Sequence, residues 1–254
     1  MADEGLLGPP RVRRRLAELR HKKLNFDVAA MDQATPENGW SVDDLCQPLS
    51  GEPPGSPVKG GSWELARRLL LGYEFADPSI VRAFYDTDTP LEERNMLLKL
   101  QAYGLIHIFV GVRVGEVCDE TRDMAGRRVR VWGWNYRTLE GHVEMGQMDW
   151  EVWKWLDSGA VEFHIRAASR PAHIGNPFVR IGFRVLRGRE RRLFLESTRR
   201  RMRAFTDLGL TSDHGAEALQ RAGREATARP ARYADVVDAK LTRDLLDDND
   251  HADC

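Results

Sequence analysis

The run Thr138-Leu139-Glu140-Gly141-His142-Val143-Glu144 brings a hydroxyl, an imidazole and two carboxylates together. It lies between two stretches of alternating apolar residues, at a hairpin bend where side chains are free to project. His142 could serve as a general base near neutral pH, with Glu144 orienting the ring. The same residues also suit a scaffold role, in which Thr138, Gly141 and His142 hold the bend through side-chain to backbone hydrogen bonds. A second place of interest is Ser169-Arg170-Pro171, where Arg170 ends a strand just before a proline that stops pairing. A guanidinium there can hold an anionic group bidentately, or cap backbone carbonyls and close the hairpin.

Other chemistries find less in the chain. His142-x-Glu144 is like the zinc-deaminase pattern, but the Pro-Cys-x-x-Cys half of that pattern does not occur. His142, His164 and His173 have no metal-ligand spacing, so no metal is expected. There is no glycine-rich phosphate loop, nucleophile elbow or Cys-x-x-Cys. No cofactor follows, and no enzyme class can be assigned. Cys46, Cys118 and Cys254 are scattered and odd in number, which argues against a disulfide framework.

The elements that must position these residues are strands. Arg128, Arg130, Trp132, Trp134 and Tyr136 share one face of a first run; Met148, Trp150 and Val152 oppose Asp149, Glu151 and Trp153 in a second. Val161, Phe163, Ile165 and Ala167 alternate with Glu162, His164 and Arg166 in a third. Trp153, grouped with acidic neighbours, is expected on a solvated face. Asp157-Ser158-Gly159 is a tight-turn signal between the last two runs. Taking that turn literally, position i faces position 316 minus i, which sets residue 146 opposite Arg170 and brings His142 near it. Met96 to Tyr103 and Leu105 to Glu116 add two strands, so five consecutive strands with short links favour an antiparallel meander.

Around this sheet the spacing predicts a basic helix over residues 11–23 and a loop over 25–57 anchored by Phe26 and Trp40. Ser62 reads as the N-cap of a helix through Leu71, and Asp77-Pro78 as the start of a short helix through Tyr85. A long helix from Asn176-Pro177 to about Phe205, with a break near Gly188, closes the domain. Residues 1–10 are expected to be a disordered N-terminus, 11–208 a single domain, and 209–254 a largely disordered acidic tail.

The central motif carries a resemblance. Tyr136-Arg137-Thr138-Leu139-Glu140-Gly141-His142, then Gly146 and Ala168-Ser169-Arg170-Pro171-Ala172, resemble the signature of domain-of-unknown-function family 1990, also called uncharacterised protein family 0548. Leu24-Asn25-Phe26 and Asn38-Gly39-Trp40 are similar to that family's amino-terminal pattern, and the likeness spans roughly residues 10 to 206. The family usually has Glu where this chain has Gln147. The order of elements also resembles the helix-grip fold of the START and polyketide-cyclase-like superfamily. The expected class is therefore α+β, a curved antiparallel meander packed on a long C-terminal helix, with a small-molecule cavity between them.

Composition narrows the function. A hydrophobic content of 42% beside 30% charge suits a well-solvated domain with a real core. A net charge of −1 favours neither nucleic acid nor an anionic membrane as partner. The longest apolar run, around Leu105 to Val112, is too short to cross a bilayer, and no apolar signal core follows the first charges. A cytoplasmic location is the expectation. The expected activity is binding of an unidentified small hydrophobic or anionic molecule, with Tyr136, Thr138, His142, Ser169 and Arg170 as ligand contacts. The alternatives are an enzyme using His142 and Glu144, or an interaction module using the arginine-rich helix 180–203. Glu190 and Glu196 interrupt that helix's charge, which argues against nucleic acid.

Overall fold

A computed structural model of the chain describes residues 7–102, 106–172 and 177–211. Seven strands form one antiparallel sheet: β1 (Ser41–Leu49), β2 (Val81–Phe84), β3 (Asn95–Ala102), β4 (Ile106–Met124), β5 (Arg127–Thr138), β6 (Glu144–Trp155) and β7 (Val161–Pro171). Their order is β1-β7-β6-β5-β4-β3-β2, so β2 to β7 are a meander and β1 returns to the far edge beside β7. The sheet is not closed. Among the described residues three α-helices accompany it: α1 (Pro10–Glu18), α2 (Ser62–Gly72) and α3 (Pro177–Thr211). A long C-terminal helix held by an antiparallel sheet is the helix-grip arrangement. None of the described helices is long and apolar enough to cross a membrane.

Period-two alternation builds the core. Trp132, Trp134 and Tyr136 of β5, Met148, Trp150 and Val152 of β6, and Phe163 and Ile165 of β7 face inward. Against them pack Leu69 and Leu70 of α2, Tyr73 and Phe75 just beyond it, and Phe194, Leu195, Met202 and Phe205 of α3. Trp134 also donates its indole N–H to the Leu70 carbonyl at 3.2 Å.

One inward position breaks the apolar pattern. Lys154 of β6 is fully buried, and its ammonium donates to Glu52 Oε2 at 2.6 Å and to the Ser56 carbonyl at 2.9 Å. The remaining capacity of the Glu52 carboxylate is filled by the backbone N–H groups of Val58 and Trp63, at 3.0 and 2.9 Å. Glu52 thereby meets the first turn of α2, where donors are otherwise orphaned. Ser62, expected as the N-cap, instead donates its hydroxyl to the Ser50 carbonyl, and Gly61 occupies the cap position.

Several sequence expectations need correction. Within the expected loop 25–57, Ser41–Leu49 is the edge strand β1, whose Leu45 and Leu49 reach the core. Residues 77–85 are not a helix. Asp77 turns the chain by accepting from the Ser79 amide and hydroxyl, and β2 follows, with Val81, Ala83 and Tyr85 inward and Phe84 outward. Pairing with β3 therefore outweighs the local cap signal. The long helix runs through Gly188 unbroken; that glycine stands in open space with nothing to bend around. The β6–β7 hairpin closes on Trp155 and Ala160, and its loop includes Leu156, so register is 315 minus i. Gly146 lies opposite Ser169, and Arg170 opposite Met145. The expectations for residues 1–6 and the tail beyond Thr211 lie outside the described residues.

The outer face is not simply solvated. Trp153, expected there among solvated carboxylates, is buried; its ring stacks on His164 at 4.1 Å and its N–H donates to Glu151 at 2.7 Å. Glu151 in turn receives Arg122 and Arg166. Nearer the other edge, Val12 and Leu19 cover Phe84, Leu97 and Leu139.

Two stability outcomes follow. Trp134→Ala and Trp153→Ala should each lose about 3 to 5 kcal/mol, the usual range for truncating a buried aromatic. Denaturant midpoints measure this, and a Trp153→Ala loss within roughly 0.5 kcal/mol would mean an open outer face. Lys154→Met should also lose about 3 to 5 kcal/mol, because it strands the buried Glu52 carboxylate. Adding Glu52→Gln should recover part of that loss, whereas simple additivity would show that the two groups are not coupled.

Candidate functional site

The Thr138–Glu144 corner joins β5 to β6 and fastens the amino-terminal segment to the end of the sheet. Thr138 Oγ1 accepts from the Gly146 amide at 2.9 Å and donates to Asn25 Oδ1 at 2.6 Å. Asn25 Nδ2 then donates to the Glu144 carbonyl at 2.9 Å. Leu24 and Leu139 form a β-bridge, and Glu140 accepts from the Lys23 amide and, at its carbonyl, from Lys22 Nζ. Gly141 turns at φ +84°. At Gly146, φ is +151°, and a Cβ would stand 2.1 Å from the Ala168 carbonyl oxygen, so no side chain fits.

His142 sits inside this corner. Its Nδ1 accepts the Glu144 backbone N–H at 2.9 Å. The neutral ring then carries its proton on Nε2, an assignment fixed by that bond. Burial lowers the imidazole pKa from 6.5 to about 4, against the opposing pull of the Glu144 charge. At neutral pH the ring is uncharged and its one lone pair is engaged. The bond linking the two residues thus runs through the Glu144 backbone, while the Glu144 carboxylate points inward, with Ser169 Oγ 3.4 Å from its Oε1.

Ser169 and Tyr136 belong to the inner face as well. Arg191 of α3 donates from Nη1 to Ser169 Oγ at 2.8 Å and from Nε to Asp43 Oδ2 of β1 at 2.5 Å. Tyr136 donates to Met148 Sδ at 3.3 Å, beside the Tyr73 ring at 6.4 Å between centroids. Burial raises the pKa of both tyrosine hydroxyls above the ordinary range, so both stay protonated. A polar group of Tyr136, Glu144, Ser169, Arg191 and Asp43 therefore stands at one end of the aromatic interior, where α3 crosses β1 and β7.

Arg170 is elsewhere. Its guanidinium lies over the Trp40 ring at 4.7 Å and its Nε donates to Met145 Sδ at 3.2 Å. No hydrogen bond or ion pair joins it to His142; by the alternation of β7, in which Ile165 and Ala167 face inward, position 170 is on the outer face, opposite Met145. Arg191, Asp43 and Tyr73 were not legible as site residues. Asp43 was hidden by the loop reading of β1, and Arg191 is one of ten arginines between Arg180 and Arg203.

His164 has company on the outer face, apart from His142. Its Nε2 is 2.9 Å from Glu162 Oε2 and 3.8 Å from Cys46 Sγ, and the three donor atoms lie within 4.8 Å of one another. His173 lies outside the described residues. Cys118 is unpaired, and burial pushes its thiol up to about 11, which keeps it protonated and unreactive.

The family signature of a domain of unknown function, DUF1990, matches residues 26–196. The chain belongs to the DUF1990 family. No curated protein matches it. Among solved structures, Ara h 8.0201 is similar with a TM-score of 0.38 and 7% identity, covering 66% of this chain and 98% of its own. The hypothetical protein jhp0584 from Helicobacter pylori gives a TM-score of 0.40 and 11% identity, covering 69% of this chain and 93% of its own. In this DUF1990 domain, Thr138, Gly141, His142 and Gly146 build the corner described above. Gln147 is on the outer face, accepting from Arg137 Nε at 2.7 Å and donating to Asp149 Oδ1 at 2.8 Å. The departure from the family's usual Glu therefore faces away from the interior, beside an aspartate whose pKa burial already raises.

The depressed pKa of His142 sets a pH dependence. The folded value of about 4 lies below the ordinary 6.5, so the unfolded chain binds more protons between the two. Stability is fully present above pH 6.5 and is lost as pH falls toward 4, by up to about 3 kcal/mol. His142→Asn keeps an acceptor for the Glu144 amide and removes the titration. The difference in urea midpoint between pH 7 and pH 5 should shrink in this variant; an unchanged difference would assign the effect to another group.

Proposed function

We propose that this DUF1990 domain binds a small, largely apolar molecule between the inner face of the sheet and α3. The observation that carries this reading is the amphipathic interior. Aromatic rings from β5, β6, β7 and α3 line its middle, and the Tyr136–Glu144–Ser169–Arg191–Asp43 group gives one end hydrogen-bonding capacity. A ligand with an apolar body and a polar end fits that division. Tyr136 and Ser169, among the expected contacts, belong to this surface. Thr138, His142 and Arg170 are engaged with the scaffold and would act on a ligand only through it.

The alternatives gain less. His142 and Glu144 lack the geometry of a base and its orienting carboxylate. The arginine-rich helix does not present its charge uniformly: Arg191 and Arg201 are turned into the fold, and Arg200 and Arg203 face Glu196 and Asp207 at 3.9 and 3.8 Å. Native mass spectrometry of protein purified from its own host tests the binding reading. A defined small-molecule adduct that is released on denaturation is expected. Repeated isolation of the unliganded mass alone would overturn it.

A further inference from the structure

The fully buried indole of Trp150 has no hydrogen-bond partner for its N–H, and the same is true of the fully buried Thr198 hydroxyl on α3. Buried donors are normally paired, so two unmet ones in a single layer call for a reason. They lie in the same part of the interior. The Phe194 ring stands edge-on to Trp150 at 6.1 Å and 80°, and Thr198 is the next residue along that side of α3. The fixed ends of this helix segment agree: Arg191 meets Asp43, and Ser50 meets Asp207 at 2.8 Å. Between those contacts the helix advances about 24 Å and the strand about 23 Å, so the two run side by side. Thr198 then falls abreast of Leu45 and Cys46 in β1, level with Ile165 and with Trp150, which pairs with Ile165.

We propose that Trp150 Nε1 and Thr198 Oγ1 form a second polar anchor, in the aromatic middle of the ligand interior, and together receive the carbonyl oxygen of a neutral, flat apolar molecule, a ketone, ester or amide. This inference rests on the small-molecule reading above. Indole N–H can only donate and the threonine hydroxyl can donate, so the matching ligand atom is an oxygen with two lone pairs. Trp150 is ringed by Tyr73, Phe75, Tyr136, Phe163 and Phe194, at centroid distances of 4.7 to 6.4 Å. A bare carboxylate among those rings would lose its hydration without gaining a counter-charge, which selects a neutral acceptor. The rings offer their faces and edges to a planar body.

A matched pair of probes separates the anchor from the cavity. Benzophenone and diphenylmethane share their rings and differ at the carbonyl. Calorimetric titration of the full chain should show benzophenone binding about thirtyfold tighter, the value of two net hydrogen bonds. Benzophenone alone should shift the Trp150 indole resonance in a 15N-labelled sample. Thr198→Val should cut the preference to about fivefold, the value of the one remaining bond, while leaving diphenylmethane affinity unchanged. It should also leave the unliganded melting temperature equal or higher, because it removes a buried unpaired hydroxyl. Trp150→Phe should give the same loss of preference. Equal binding of both probes, or a preference that Thr198→Val leaves undiminished, overturns the anchor and leaves the small-molecule reading standing. Binding of neither probe overturns the anchor, with native mass spectrometry deciding separately whether the interior holds any ligand.

Discussion

The Lys154–Glu52 pair fixes the relation between the sheet and the first helix packed on it. An ammonium with no exposed surface is tolerable only if its charge and its donors are all met. Here Glu52 and the Ser56 carbonyl accept from the ammonium, and two backbone amides donate to the Glu52 carboxylate. The same loop is tied to the β6–β7 turn, with the Glu52 amide donating to the Gly159 carbonyl and the Gly55 amide to that of Leu156. Gly159 has φ +78°, and a Cβ there would collide with the Glu52 carbonyl, so the turn and the loop approach as only glycine permits. Because Glu52 also meets the first turn of α2, the pair sets where Leu69, Leu70, Tyr73 and Phe75 stand above Trp134 and Trp150.

The polar end of the interior depends on a different set of ties. The Thr138–Glu144 corner holds the end of β6 against the amino-terminal segment, and thereby presents Glu144 inward. Arg191 holds α3 to β1 and β7 at that same end, through Asp43 and Ser169. Residues that look chemical in the sequence are in this way divided. His142 and Thr138 act on backbone; Glu144 and Ser169 act on the interior.

Strands with clean alternation were legible: Trp132, Trp134 and Tyr136 face inward as their spacing requires, and the meander with its closing helix follows from five such runs. The edge strands were not. β2 is four residues long and β1 follows a loop rich in turn formers, so neither has a period strong enough to stand against its surroundings. Their pairing is decided by β3 and β7, which is information held far away in the chain. Trp153 departs from its sequence pattern for a related reason, since its cover comes from His164 and from Glu151 turned toward its N–H. The corner motif was legible as a place but not as a role, because a ring nitrogen available to a ligand and one bonded to backbone look the same in one dimension. Arg191 and Thr198 had no signal at all; only the path of α3 along β1 selects them from their neighbours.

An open sheet leaves two strands with an unpaired side, and an unpaired side is a template for another chain. The chain meets this hazard in two ways. β2 is too short to nucleate an intermolecular ladder. β1, at that edge, carries Pro48 and the exposed Asp44, a residue without an amide hydrogen and a charge. The helix grip can thus remain open, with α3 seated in it, and still keep its sheet from growing into its neighbours.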